Sequence, residues 1–104
     1  MNFPHIVTVA REYVATALGL EGEELEEFVD SFLVSLKEAE RDFAAQAENP
    51  DLAKIREINH RLRGILGTVE VPELAALNEE MNAAAKAGDV ARVKAVLARM
   101  RINT

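Results

Sequence analysis

Apolar side chains recur at three- and four-residue spacing through almost the whole chain of 104 residues, the period of helices that each bury one face. From Glu23 to about Ala47 the inward set is Leu25, Phe28, Val29, Phe32, Leu33, Leu36, Ala39 and Phe43, which predicts a long core helix whose acidic first turn suits the helix dipole. Upstream, Asn2 and Pro4 followed by Ile6, Val7, Ala10, Tyr13, Val14, Ala17 and Leu18 predict a first helix that ends at Gly19, against the strand preference of the run Ile6-Val7-Thr8-Val9. Asn49-Pro50-Asp51 predicts the start of a third helix, with Asn49 as cap and Pro50 in the first position. Its end is expected around Thr68 to Glu70, ahead of Pro72, with Gly67 as an alternative cap. Pro72 to about Ala87 carries Leu74, Leu77, Met81, Ala84 and Ala85 on one face and stops at Gly88. Asp89 then caps a last helix, with Val90, Val93, Leu97 and Met100 inward and Arg99 and Arg101 at the end that favours positive charge.

Short connections make neighbouring helices antiparallel. The expected fold is all-α, one domain over residues 1–104: an antiparallel up-and-down four-helix bundle at 23–102, with an additional N-terminal helix at 1–20 packed at one end.

The third helix breaks the pattern in an informative place. At about 100° per residue, Ile55, Ile58, Leu62, Ile65, Leu66 and Val69 fall within roughly 60° of Leu62, and His60 points the other way. Ala53, Gly64 and Gly67 share the histidine's face, with Arg56 and Arg63 at its flanks. A glycine inside a helix costs about 1 kcal/mol relative to alanine. Two of them on this face imply that something comes close to the ring, and a protein is the expected visitor.

Composition narrows the chemistry. The chain has no cysteine, so it holds neither a disulfide nor a thiolate metal site, and a cytoplasmic location is expected. No apolar run approaches the roughly 20 residues of a spanning helix, and Met1-Asn2-Phe3-Pro4-His5 lacks the features of a signal peptide. A net charge of -6 argues against nucleic acid as a main ligand. That charge is uneven: Glu21, Glu23, Glu24, Glu26, Glu27 and Asp30 crowd the start of the second helix, whereas Lys54, Arg56, Arg61 and Arg63 surround the histidine. An acidic partner would be steered to the histidine end.

Three readings of His60 differ in what they require. A phosphoryl acceptor needs a solvent-reachable imidazole, a rigid support and a nearby cation; His60 and Arg63 meet this, and Gly64 leaves room for a partner. Glu57-Ile58-Asn59-His60 is also a Glu-x-x-His pair of the kind used by di-iron bundles, but such ligands point inward and there is no second pair. The bland reading is a solvated surface histidine, which is the reading taken for His5. A nucleotide loop is excluded, since Gly64-Ile65-Leu66-Gly67 lies within a helix without a downstream Lys-Ser/Thr.

His60-Arg61-Leu62-Arg63-Gly64 resembles the His-x-x-(Lys/Arg)-Gly signature of histidine-containing phosphotransfer (HPt) domains, and the likeness runs through Leu74 and the Ala87-Gly88-Asp89 turn to most of the chain after Glu23. It implies a phosphorelay carrier: His60 accepts a phosphoryl group from the aspartate of one response-regulator receiver domain and passes it to another. On the helix face read above, Arg63 would steady the phosphate, Gly64 give the partner access, and Ala53, Arg56, Glu57, Arg61 and Gly67 form the docking face around His60. Receivers, or a hybrid sensor kinase, are the implied partners of a monomer. No cofactor is implied for this chain, and Mg²⁺ belongs to the partner receiver. The chain is then no enzyme, having neither kinase activity nor an ATP site. Arg63 stands where many members carry lysine; Ile65 and Leu66 replace small residues, and Glu70 a common glycine. The alternative is a helical-bundle interaction module that binds a receiver or kinase without phosphotransfer.

Overall fold

Three of the five helices begin at a short polar side chain that takes up otherwise unpaired backbone N–H groups. In the computed structural model, which describes residues 1–101, these helices are α1 (Phe3–Thr16), α2 (Gly22–Ala44), α3 (Leu52–Leu66), α4 (Pro72–Lys86) and α5 (Val90–Arg99). Asn2 accepts from the His5 N–H at 3.2 Å, Asp51 from Ala53 at 3.0 Å and Lys54 at 3.4 Å, and Asp89 from Arg92 at 3.0 Å. Residue 102, the last of the expected bundle, lies outside the described residues.

Four boundaries differ from the sequence expectation. α2 stops at Ala44, and α3 starts at Leu52 with Asp51, not Asn49, as its cap. Gln46 accepts the Asp51 N–H at 2.9 Å, so the proline and its predecessor belong to the turn, and the carboxylate satisfies two backbone donors at the positive end of the helix. α3 ends at Leu66, short of Thr68. Gly67 closes it with φ -69°, donating to the carbonyls of Arg63 at 3.0 Å and Gly64 at 3.2 Å. The chain then turns so that Val69 and Val71 become buried. α1 ends at Thr16, leaving Ala17 and Leu18 exposed beyond it.

The sharpest turn joins α4 to α5. Gly88 takes φ +66°, a left-handed conformation that favours glycine; its N–H donates to Ala85 at 3.1 Å and that of Asp89 to Ala84 at 3.1 Å. Both carbonyls at the end of α4 are thereby satisfied. Asp89 then caps α5, so one residue ends one helix and starts the next.

The inward faces meet in one core. Val29, Phe32, Leu36, Ala39 and Phe43 of α2 join Ile55, Ile58 and Leu62 of α3, Leu74, Leu77, Met81, Ala84 and Ala85 of α4, and Val93, Val96 and Leu97 of α5. Leu36, Phe43, Leu62, Leu74 and Met100 line one small interior gap, which shows side chains of α2, α3 and α4 meeting the end of α5. Val90 is a correction: it is exposed, standing at the first position of α5, and Val96 is buried instead. The molecule is elongated, 44 × 23 × 18 Å, with a radius of gyration of 14.1 Å, above the roughly 13 Å of a sphere-like domain this size.

α1 lies against α2 between Glu26 and Lys37. Its buried face is Ile6, Ala10 and Val14. Arg11 pairs with Glu26 through both guanidinium nitrogens, one at 2.7 Å, and the Lys37 ammonium sits 4.5 Å from the Phe3 ring centre. The guanidinium hydrogen bond lowers the Glu26 pKa, so this contact's contribution is present above the ordinary carboxylate range and fades as pH falls through the lowered value. His5, read from sequence as having no role, meets Glu73 of α4 at 2.9 Å. Among the described residues no helix is long and apolar enough to cross a membrane.

Candidate functional site

Because Ile55, Ile58 and Leu62 anchor α3 in the core, geometry turns Arg56, Glu57, His60 and Arg61 outward. His60 is exposed in the middle of the helix, and Ala53, Arg56, Glu57, Arg61, Arg63, Gly64 and Gly67 are all exposed with it. They do not form a single flat surface. The histidine stands on a ridge between two grooves.

The groove toward α4 is bordered by Arg56, Glu57, His60, Arg63 and Gly67, with Glu79 opposite. The groove toward α2 is bordered by Arg61 and Gly64, with Phe28, Ser31, Ser35 and Glu38 opposite. Ala53 borders neither. So the structure brings Arg56, Glu57, Arg63 and Gly67 to the imidazole's own groove and separates Arg61 and Gly64 from it by the ridge.

The three arginines differ. Arg61 is tied to Asp42 of α2 by an ion pair, whereas among the described residues neither Arg56 nor Arg63 has a carboxylate within 4 Å, and the His60 ring has none either. Arg61 is therefore a brace between α2 and α3 more than a free charge. Arg63 keeps its guanidinium available one turn beyond the ring.

Gly64 has no steric reason to be glycine: a Cβ built there meets nothing within 4 Å, and its φ is not in the left-handed region. The fold would accept alanine, so the open space at this position is outward. Gly67 differs, since its Cβ would lie a tight 3.3 Å from the Gly64 carbonyl oxygen.

Sequence patterning did not find the polar pair beneath the site. Asn59 and Asn78 are the buried polar residues of the core. The Asn59 amide donates to the Asn78 backbone carbonyl at 3.0 Å. The Asn78 amide donates to the Asn59 backbone carbonyl at 2.9 Å and to its side-chain oxygen at 2.8 Å. This clamp ties α3 to α4 at the residue preceding His60. The available signal was that Asn59 falls about 60° from Leu62, at the edge of the apolar stripe.

Glu57 and His60 both face solvent, opposite to the inward ligands of a di-iron bundle. Among the described residues no three His, Cys, Asp or Glu side chains converge to hold a metal.

The fold and the ridge define a helical protein that presents an accessible imidazole at the middle of a core-anchored helix, beside guanidinium groups without an ion-pair partner among the described residues. Residues 23–103 match the Hpt domain family, and the chain belongs to that family. Membership implies histidine phosphotransfer in two-component phosphorelays. Members of this family are phosphocarriers that interact with receiver domains and kinases. Comparison with curated proteins and with solved structures found no match.

Proposed function

We propose that this chain carries phosphoryl groups on His60 between receiver domains. The observation that carries the reading is that His60, the histidine at the head of the family signature, is exposed at mid-helix with Arg63 free beside it. A neutral imidazole nitrogen attacks the phosphorus of an aspartyl phosphate; the N–P bond forms, the P–O bond to the carboxyl breaks, and the carboxylate leaves. Arg63 offsets charge on the transferred group. The partner receiver supplies Mg²⁺, and this chain contributes no ATP site of its own.

Docking involves Arg56, Glu57 and Gly67 in the ring's own groove, Gly64 and Arg61 on the side toward α2, and Ala53 beyond both. The chain works as a single cytoplasmic domain and a monomer, with residues 23–102 as an antiparallel up-and-down bundle and residues 1–20 packed at one end. Short turns between successive helices support that topology, as do the Arg11–Glu26 and Arg61–Asp42 pairs between α1, α2 and α3.

The test is transfer from receivers preloaded with labelled phosphate. Acid-labile, base-stable label on this chain is the expected result. Binding by calorimetry without label, across a broad receiver panel, would replace the relay by the interaction-module reading.

Gly64→Ala should move stability and transfer in opposite directions. With no clash to meet, the added methyl stabilises α3 by up to about 1 kcal/mol, a melting increase of about 4–8 °C. The same methyl stands where a receiver must approach, so transfer from a receiver should slow by about tenfold or more. Phosphorylation by a small donor such as phosphoramidate should be unchanged. An equal slowing with both donors would show that Gly64 does not serve partner access.

A further inference from the structure

Resting on the reading of His60 as the phosphorylated residue, we infer that Arg56 is a second phosphate-holding residue beside Arg63. Side chains on a helix lean toward its N-terminus, covering the turn before their own Cα. The ring of His60 therefore extends over the turn that bears Arg56 and Glu57, and Arg63 leans back toward the ring from the other side. A phosphoryl group on the ring lies between the two guanidinium groups.

Charge in the groove makes both necessary. Its ionisable border consists of Arg56 and Arg63 against Glu57 and Glu79, two positive and two negative, so it is neutral only while both arginines are present. Phosphate adds close to two negative charges at pH 7. With Arg56 removed, a dianion would sit in a groove already negative, with Glu57 one turn before the ring. Arg61 cannot substitute, being paired to Asp42 and bordering the other groove. Arg56 has no such partner among the described residues.

The experiment loads the chain with phosphoramidate, which needs no receiver, and follows the phosphohistidine by ³¹P NMR across pH in wild type, Arg56→Gln, Arg56→Lys and Arg61→Gln. Nitrogen takes the phosphoryl group as the donor's P–N bond breaks and ammonia leaves. A unit charge about 6 Å away in a watery site moves a titration midpoint by about half a pH unit, which is about a threefold change in hold on the dianion. Arg56→Gln should therefore raise the midpoint by about half a unit. Arg56→Lys should keep it near wild type, and Arg61→Gln should leave it unmoved although it removes an interhelix ion pair. A midpoint in Arg56→Gln equal to that in Arg61→Gln would overturn the role of Arg56 alone. Absence of phosphohistidine at position 60 in the wild type would overturn this inference together with the reading it rests on.

Discussion

His60→Gln should abolish phosphate labelling while leaving the melting transition and receiver affinity close to wild type. The ring is exposed and has no ion-pair partner among the described residues, and surface substitutions of that kind change stability by about 0.5 kcal/mol or less. Glutamine is the better helix former and keeps a polar tip of similar reach, but its amide nitrogen is no nucleophile. Loss of label with retained binding thus separates chemistry from docking. The chain has only one other histidine, His5, held against Glu73 at the start of α4. Label persisting in His60→Gln and disappearing in a His5 variant would move the acceptor to the bundle end and refute the ridge as the site.

How far the sequence reached follows from what each signal depends on. The inward faces of α2, α3 and α4 were legible because burial of a helix is periodic: every residue expected inward on α4 is buried, on α2 only Leu25, Phe28 and Leu33 are half-exposed, and on α3 Ile65 and Leu66 are half-exposed where they line the two grooves. His60's outward direction followed from the same geometry. Boundaries were less legible, since Asn49 and Asp51 both make good caps and only the fold decides that Gln46 holds the Asp51 N–H. The two-groove surface was illegible in one dimension. Gly64 and Gly67 project near His60 on a helical wheel, yet packing of α2 on one side and α4 on the other assigns them to different grooves. Likewise a pairing such as Arg61 with Asp42 requires knowing which helix lies beside which, so the sequence could only count Arg61 among the charges around the histidine.

Asn78→Ala should be among the most destabilising single changes outside the apolar core, at about 2–4 kcal/mol by denaturant titration. It removes two donated hydrogen bonds and strands the buried Asn59 side-chain oxygen, and a buried polar group left without a partner costs about 1–3 kcal/mol beyond the lost packing. Asn59→Ala should cost slightly less, because the Asn78 amide keeps the Asn59 backbone carbonyl as acceptor. The two changes should not add: the side-chain bond between the two amides is lost in either variant and can be lost only once, so a double-mutant cycle should show coupling of about 0.5–3 kcal/mol. Replacing both by leucine should recover most of the loss, since an apolar pair leaves nothing unsatisfied. Independent costs in the cycle would mean that each asparagine acts alone and that no clamp exists. The clamp has its value in where it lies. Apolar contacts between α3 and α4 tolerate small rotations and slips, but the reciprocal bonds of Asn59 and Asn78 fix a single register, and Asn59 is covalently next to His60. The energetic cost of burying two amides thereby sets the direction in which the imidazole and its two arginines face a partner.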